Sequence, residues 1–357
     1  MSNLMSFEEF TEQVKQSIKE YLPFEYADAE VNVSEGLKIN ASYTSLSVNK
    51  EGQNISALVN LDEMFRDYQR DGDLTSVLFK IADIAATQPE GMDVRKLEDY
   101  EQAKDSLFIR VCNTESNKDL LEKVPHEILG DLAVTYHVML DRNEDGFGST
   151  IINHELLGKY GVPESQLKAD AMENSTKILS PTIESMTNVM ARMMGFSDVD
   201  IQSIPFETAV ENFDFQKDNM FVLSNTSAMN GAATIFYPEV MERIGEQAGG
   251  DLFVIPSSVH EELLVPDDGV MQRENLEQII RDINANEVEP KDRLSDTLYH
   301  YDVKEHKLER AVDFEERQEV SRDVKEKVSI KDRLKDAEAK AQEQKTVSRP
   351  PRAQALE

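Results

Sequence analysis

The chain is poor in cysteine, in tryptophan and in long apolar segments. Cys112 is the only cysteine among 357 residues, which excludes both an intramolecular disulfide and a cysteine-based zinc site. No apolar stretch approaches the roughly 20 residues that a membrane-spanning helix needs. The first ten residues, Met1–Phe10, lack the basic start of a secretory signal. These absences predict a cytoplasmic protein that does not enter a membrane.

Several nucleotide-binding and catalytic motifs are also missing. The Gly158-Lys159 pair is followed by Tyr160, which excludes a Walker loop, and no Rossmann glycine fingerprint or Gly-x-Ser-x-Gly elbow occurs. A zincin helix needs a second histidine four residues after the first. The three His-Glu pairs have other residues there: Gly130 after His126, Gly158 after His154 and Leu264 after His260. The sequence therefore predicts no cofactor.

Negative charge dominates the first 312 residues. The chain has 69 Asp and Glu against 38 Lys and Arg, a net charge of −31. Residues 313–357 hold 11 acids and 11 bases, so the whole acid excess precedes residue 313. We call residues 1–312 the body of the protein. Its negative charge repels nucleic-acid backbones and anionic membranes. We therefore expect neither direct nucleic-acid binding nor membrane binding.

Apolar periodicity and turn residues predict a first module over residues 1–90. Its predicted elements are a helix over 7–22, three antiparallel strands within 30–61, and helices near 62–70 and 74–87 with Asp62 and Asp73 as N-caps. Pro23 ends the first helix because proline cannot continue the helical hydrogen-bond ladder. Pro89-Glu-Gly91 marks the end of the module.

A larger second module is predicted over residues 91–312. Its elements are a helix near 94–103, strands over 106–112, 132–140 and 149–152, helices after Asn153 and Pro163, a methionine-rich helix over 186–194, strands over 220–223, 232–236, 252–255 and 262–265, helices over 238–247 and 271–285, and a hairpin over 297–311. Strands and helices do not alternate regularly. The predicted fold class is therefore α+β, with mixed or antiparallel sheets and flanking helices.

The segment 313–357 forms a charge-balanced tail. Aromatic residues stop after Phe314, and Val320, Val324 and Val328 give only a thin apolar stripe. We expect an exposed helix that passes into disorder, and a body that folds without it. Docking of this helix on a partner is the alternative.

An acidic loop at residues 141–146 resembles the first half of an EF-hand calcium loop. Asp141, Asn143 and Asp145 occupy ligand positions one, three and five, and Gly146 occupies position six. Position twelve is Ile152, where calcium requires a bidentate glutamate. The spacing favours an acidic turn between two strands, with a weak calcium site as the alternative.

Ser257, Ser258 and His260 follow the apolar run Leu252–Ile255 and Pro256. Such a run predicts a buried strand, which Pro256 ends because proline has no N–H to donate. The three polar residues would then lie where the chain leaves the sheet, at the edge of a pocket. A nucleophile with its base is one interpretation, and satisfaction of backbone groups at a strand end is the favoured one.

Methionines recur at helical spacing near residue 190. Met186, Val189, Met190, Met193 and Met194 form one apolar face. Methionine fills irregular cores and also forms adaptable binding surfaces. The pattern favours a face packed in the core, with an adaptable binding groove as the alternative.

A set of ordered motifs resembles a bacterial family of unknown function that is frequent in gut anaerobes and in their conjugative elements and phages. The set covers roughly residues 5–310 and consists of Val124-Pro-His-Glu127, Leu156-Leu-Gly-Lys-Tyr-Gly161, Met220-Phe-Val-Leu-Ser-Asn225, Gly231-Ala-Ala-Thr-Ile-Phe-Tyr-Pro238 and Asp251-Leu-Phe-Val-Ile-Pro-Ser-Ser-Val-His-Glu261. The resemblance implies no established reaction.

Three functional hypotheses follow. The first is a non-enzymatic cytoplasmic accessory protein of a bacterium or its mobile elements, acting by protein–protein contact. The second is a hydrolase-type or metal-dependent enzyme that uses residues 256–262 or the acidic loop. The third is an acidic nucleic-acid mimic that blocks a basic groove on a defence or replication protein. The sequence specifies neither the partner nor the oligomeric state.

Overall fold

The computed structural model describes most of the chain. The described residues are 4–51, 56–86, 93–143, 146–196, 201–215, 217–256, 258–322 and 335. Within these ranges, no helix has both the length and the apolar character needed to cross a bilayer.

The N-terminal part is a three-stranded antiparallel sheet covered by three helices, as predicted. Its elements are α1 (Phe7–Ser17), β1 (Glu30–Lys38), β2 (Ala41–Asn49), β3 (Leu58–Asn60), α2 (Leu61–Asp71) and α3 (Leu74–Ala86), with strand order β1-β2-β3. Phe10 and Val14 of α1 share a buried cluster with Leu46 of β2 and Ile81 of α3. The apolar stripe of each helix therefore faces the sheet.

Helix caps agree with the sequence at one of the two predicted positions. Asp73 accepts the Ser76 backbone N–H at 3.2 Å and caps α3 as predicted. The prediction for α2 is wrong, because Asn60 caps this helix by accepting the backbone N–H groups of Asp62 and Glu63. The helix starts earlier than expected, and the Asp62 carboxylate instead accepts the backbone N–H of Thr44.

A four-stranded antiparallel sheet follows, built around the long strand β6. The elements of this region are α4 (Tyr100–Ala103), β4 (Leu107–Asn113), α5 (Lys118–Leu121), β5 (His126–Leu129), β6 (Leu132–Asn143), β7 (Gly146–Ile151), α6 (His154–Tyr160) and α7 (Glu164–Ile178). One edge of β6 pairs with β4, and the other edge pairs first with β5 and then with β7. The predicted helix near 94–103 is shorter, because a 3₁₀ turn over Val94–Leu97 precedes α4.

A six-stranded antiparallel sheet has the order β13-β12-β10-β11-β9-β8. The elements of this region are β8 (Pro181–Ser185), α8 (Met186–Met193), α9 (Phe206–Glu211), β9 (Phe221–Asn225), α10 (Val240–Ala248), β10 (Leu252–Ile255), β11 (Glu262–Pro266), α11 (Arg273–Asn286), β12 (Tyr299–Asp302) and β13 (Lys307–Arg310). One face, with Leu223, Val254 and Leu264, packs in the same core as the four-stranded sheet. The other face packs against α11 through Ile255 and Leu263. The predicted α+β class is confirmed.

The strand predicted over 232–236 is wrong, because this segment is a 3₁₀ helix, Gly231–Phe236. The backbone N–H groups of Gly231 and Ala232 donate to the carbonyls of His260 and Val259. Thr234 Oγ1 donates to the Gly231 carbonyl, which closes a local turn. The apolar run therefore reports burial, and burial alone does not distinguish a strand from a short helix.

A final helix, α12, spans residues 311–322 and packs on the body. Ala311 is buried with the residues beneath α11, and its backbone N–H donates to the Leu298 carbonyl at 2.9 Å. Glu315 of α12 pairs with Arg273 of α11 at 3.0 Å. All side chains of residues 313–322 are exposed or only partly buried, which agrees with the exposed helix expected at the start of the tail, and folding of the body without the tail stays a prediction. The sequence showed the thin valine stripe, but it did not show that Glu315 pairs with Arg273 on α11.

Candidate functional site

The connection between β10 and β11 carries two of the predicted site residues. Ser258 Oγ accepts the backbone N–H of His260 at 3.1 Å, a local turn that satisfies the chain as it leaves the sheet. Ser257 lies outside the described residues. The structure thus connects Ser258 and His260 through a hydrogen bond from the His260 backbone N–H to the Ser258 hydroxyl, and not through the imidazole ring.

The imidazole of His260 joins two other segments. Its Nδ1 accepts the backbone N–H of Asn230 at 3.2 Å, and its Nε2 lies 3.2 Å from Asp292 Oδ1. An accepting Nδ1 places the ring proton on Nε2, which then donates to the Asp292 carboxylate. Both ring nitrogens are therefore engaged away from the Ser258 hydroxyl. A nucleophile–base pair made from Ser257 or Ser258 with His260 stays a prediction.

Gly231 permits a close approach of three segments beside His260. A β-carbon at this position would collide with Ser224 Oγ and would lie 2.5 Å from the His260 carbonyl oxygen. Ser224 Oγ itself donates to that carbonyl at 2.8 Å. Asn230, just before the glycine, has a left-handed backbone with φ of 55°, which asparagine tolerates better than most residues. The end of β9, the 3₁₀ helix and the β10–β11 connection thus meet at one point.

A cleft of about 370 Å³ opens next to this meeting point. Its lining comes from β8, β9 and α8, from residues 201 and 202, from the turn after β9, and from Glu261 just before β11. The lining residues are Thr182, Ile183, Glu184, Val189, Arg192, Ile201, Gln202, Val222, Ser224, Asn225, Ala228 and Glu261. Glu261 belongs to the segment that we expected at the edge of a pocket.

The cleft contains an ion pair and a second carboxyl group. Arg192 Nη1 and Nη2 donate to the two oxygens of Glu184 at 2.7 and 2.5 Å, a bidentate pair. The hydrogen bond to Glu184 raises the pKa of Arg192. Partial desolvation raises the pKa of Glu261, and the Glu184 carboxylate adds to this effect. The cleft thus holds one neutralised cation and a carboxyl group that is unusually easy to protonate.

Glu262 follows Glu261 and is the first residue of β11. Strand alternation places its side chain on the same face as Leu264, which packs in the core shared with the four-stranded sheet. The residue is fully buried, and the described part of the chain supplies no hydrogen-bond partner for either carboxyl oxygen. Burial and the neighbouring Glu261 raise the pKa of Glu262 well above its usual value. The side chain is therefore held as a neutral acid within the core.

Apolar side chains at the end of α8 are exposed beside the cleft. Met190, Met193 and Met194 are 50%, 82% and 62% exposed, and Phe196 is 81% exposed. We call these four residues the methionine patch. The predicted packing of this face in the core is wrong for three of its four methionines, Met190, Met193 and Met194. Helix α8 contacts the body through the half-buried Met186 and Val189 instead.

A tight chain reversal fixes Phe196 next to the methionines. The backbone N–H of Phe196 donates to the Ala191 carbonyl at 2.8 Å, and that of Gly195 donates to the Arg192 carbonyl at 3.0 Å. Gly195 has φ of 74°, the left-handed conformation that this helix ending requires. The phenylalanine therefore belongs to the same surface as the exposed helix face.

The acidic loop connects β6 and β7 as a hairpin, as favoured from the sequence. Asp141 pairs with Gly148, and the Asn143 backbone pairs with Gly146. Asp145 and the Asn143 side chain lie outside the described residues. Among the residues that the structure describes, no group of three His, Cys, Asp or Glu side chains is placed to hold a metal ion. Calcium binding by Asp141, Asn143 and Asp145 stays a prediction.

The chain belongs to a family of unknown function, DUF5688, whose model matches residues 7–303. No curated protein and no solved structure matches it significantly. The expected resemblance to a domain-of-unknown-function family is thus confirmed. The motifs behind it include Asn225, which lines the cleft, and Gly231 and His260, which are hydrogen-bonded to each other beside it.

Sequence reasoning missed the partners that distant segments supply. Asp292 lies 32 residues after His260, and no motif surrounds it. Glu184 and Arg192 lie on β8 and α8, and β8 itself was not predicted. The Gly231 motif was the one available signal of tertiary contact at this place. Glycine has no side chain, so it allows other segments to approach the backbone closely.

Proposed function

We propose that this protein is a cytoplasmic accessory protein of a bacterium or its mobile elements and acts by protein–protein contact. The docking surface is the methionine patch together with the cleft beside it. The occupant is an amphipathic helix of a partner protein, with apolar residues on one side and Lys or Arg flanking them.

The exposure of the patch carries this proposal. Four large apolar side chains at the end of one helix lie half to four-fifths in solvent, which costs hydrophobic free energy in the isolated protein. Contiguous exposed apolar surface bordered by polar groups is typical of interaction sites. Methionine suits such a site because its flexible thioether adapts to different partners.

Charge selects the kind of partner. The chain carries a net charge of −31, and Arg192 in the cleft is already neutralised by Glu184. Glu261 lines the cleft without an ion pair in the described residues. A partner helix flanked by Lys or Arg is therefore attracted, whereas an acidic one is repelled. An amphipathic helix presents apolar side chains at helical spacing, which suits docking on the methionine patch and the cleft beside it.

The test compares a patch variant with a matched surface variant. Met193→Gln with Phe196→Ser removes the apolar surface and keeps the net charge, whereas Phe24→Ser changes a side chain that is 95% exposed elsewhere. Each protein is titrated with a labelled Leu/Lys amphipathic peptide and with a Leu/Glu peptide of the same pattern, by fluorescence anisotropy.

We expect the Leu/Lys peptide to bind the original protein and Phe24→Ser equally, and to bind the patch variant about tenfold more weakly or worse. The Leu/Glu peptide should not bind. Equal binding of the Leu/Lys peptide to all three proteins would reduce the interaction to net charge and contradict the proposal. Affinity capture from the native host with the same variants then identifies the physiological partner.

A further inference from the structure

Three polar side chains form one row across the β8 edge of the six-stranded sheet. Thr182 of β8 pairs with Ser224 of β9. Glu262 of β11 pairs with Leu223, so antiparallel register places Glu261 opposite Ser224. Thr182, Ser224 and Glu261 all line the cleft beside α8. Neighbouring strands lie about 4.8 Å apart, so a group seated over Ser224 has a polar neighbour on either side.

The hydroxyl groups of this row can accept further hydrogen bonds. Thr182 is only 6% exposed, and the described residues supply no hydrogen-bond partner for its hydroxyl. A buried polar group of this kind costs free energy unless water or a ligand meets it. Ser224 Oγ donates to the His260 carbonyl at 2.8 Å, which leaves its lone pairs able to accept.

Glu261 adds one negative charge that the cleft does not balance. Arg192 and Glu184 neutralise each other. No Lys or Arg of the described residues pairs with Glu261, and residues 197–200, which precede Ile201 in the chain, contain neither. Partial desolvation and the Glu184 carboxylate raise the pKa of Glu261, so its negative charge is poorly stabilised here. A bound cation would supply the missing charge.

We propose that the cleft binds a primary ammonium group at the end of an alkyl chain. The ammonium donates its three N–H groups to the Glu261 carboxylate and to the hydroxyl oxygens of Ser224 and Thr182. The alkyl chain packs against Val189 and Val222, which also line the cleft. The volume of about 370 Å³ lies at the lower end of the range for small-molecule sites, which suits a short chain.

The arrangement of acceptors favours an ammonium over other cations. A guanidinium is a planar fork that matches the two oxygens of one carboxylate, whereas this row offers three separate acceptors. Among the described residues, no group of three His, Cys, Asp or Glu side chains is placed for a metal ion. A Lys side chain of a partner helix and a free alkylamine present the same ammonium. The Lys source rests on the proposed function, and the free amine does not.

The test titrates n-butylammonium into the full chain by isothermal titration calorimetry. The neutral analogue is 1-butanol, and the planar cation for comparison is n-butylguanidinium. Glu261→Gln removes the charge, and Thr182→Val removes the buried hydroxyl at nearly the same volume. Glu246→Gln is the matched control, because it makes the same change of charge at an exposed position of α10.

We expect saturable binding of n-butylammonium that is about tenfold weaker in Glu261→Gln, several-fold weaker in Thr182→Val and unchanged in Glu246→Gln. Both comparison compounds should bind more weakly. The proposal is overturned by a lack of saturable binding, by equal affinity for either comparison compound, or by unchanged affinity in Glu261→Gln or in Thr182→Val. An equal loss in Glu246→Gln would reduce the effect to net charge and overturn it too.

A competition titration identifies the source of the ammonium. Displacement of n-butylammonium by the Leu/Lys peptide supports a Lys side chain, and simultaneous binding of both supports a free amine. The variant Met193→Gln with Phe196→Ser should bind n-butylammonium like the original protein, because neither residue lines the cleft. Failure of the peptide alone to bind would contradict the docking of a helix, whereas failure of n-butylammonium alone would contradict the ammonium site.

Discussion

The ring of Phe314 stacks on the ring of His300, with centroids 3.7 Å apart and planes inclined by 18°. His300 lies on β12, fully buried, with Nε2 3.2 Å from Asp267 Oδ2. One turn further along α12, Arg317 Nη2 lies 2.7 Å from Asp302 and 2.6 Å from Glu309. These contacts fix α12 on the hairpin formed by β12 and β13.

We therefore predict that α12 stabilises the body. Phe314→Ala should lower the free energy of unfolding by about 2 kcal/mol, because it removes an aromatic stack and uncovers His300. Truncation after Val312 removes both the stack and the Arg317 pairs and should cost more. Urea denaturation measures both effects.

Truncation after Arg322 is the matched control for α12. It retains every contact of the helix named above, so the free energy of unfolding should not change. Unchanged stability after truncation at Val312 would show that α12 merely rests on the surface, as the composition of the tail had suggested.

Glu262 should make the protein less stable as the pH rises. Its pKa is raised in the folded state, so the folded protein retains a proton that the unfolded chain releases above about pH 4.3. The free energy of unfolding is then highest below that pH and falls as the pH rises towards the folded-state pKa. Glu262→Gln removes the titration and should gain about 1–3 kcal/mol over the original protein at pH 8.

Two further variants separate charge from polarity at this position. Glu262→Leu removes the unsatisfied oxygens as well and should be more stable than Glu262→Gln at every pH. Glu261→Gln is the control on the cleft side and should change the pH dependence less. Urea unfolding from pH 4 to pH 8 gives the slopes, and identical slopes for the original protein and Glu262→Gln would contradict a buried neutral acid.

Two glycine-to-alanine substitutions should have opposite effects. Gly231→Ala places a methyl group against Ser224 and the His260 carbonyl and should destabilise the fold by about 2 kcal/mol. Gly158→Ala lies within α6 with no atom near the new methyl group, and it should stabilise by about 0.5–1 kcal/mol. Thermal unfolding compares the two. A Gly231→Ala protein as stable as the original would mean that the three segments separate easily.

The sequence predicted those elements whose signal is local. Phe10, Val14 and Ile18 repeat at helical spacing, and the structure buries all three. Asn153 and Pro163 marked two helix starts, which α6 and α7 confirm. Predictions from such signals are correct because the signals depend on backbone geometry within a few residues. The run 232–236 failed because the surrounding segments, through the carbonyls of Val259 and His260, decide its conformation.

The candidate site was only partly predictable, because distant segments supply some of its residues. Ser258 and His260 were identified, but the partner of the imidazole, Asp292, depends on tertiary contact. The exposed methionine patch had the same spacing as a core-facing helix, and spacing alone does not say whether a face meets another element.

Asn40 connects the N-terminal sheet to the segment that carries Asp292. Its backbone N–H donates to Asn117 Oδ1 at 2.7 Å, and its side-chain nitrogen donates to the carbonyls of Lys291 and Arg293 at 3.0 and 2.8 Å. Asn40 has φ of 59°, so it forms the left-handed turn between β1 and β2. The β1–β2 hairpin thus binds Lys291 and Arg293, the residues before and after Asp292, whose carboxylate faces His260.

We propose that residues 1–90 and 91–312 are two folding units that meet at this turn. Asn40→Ala should then weaken their contact, because it removes three side-chain hydrogen bonds and adds left-handed strain, at a cost of about 2 kcal/mol. Two of these bonds run to the carbonyls of Lys291 and Arg293, and the third comes from the Asn117 side chain. Asn40→Gly removes the same bonds without the strain, so the difference between the variants isolates the backbone term. Differential scanning calorimetry should show one transition in the original protein and two in Asn40→Ala. A single transition at an unchanged temperature in both variants would show that Asn40 does not couple the units.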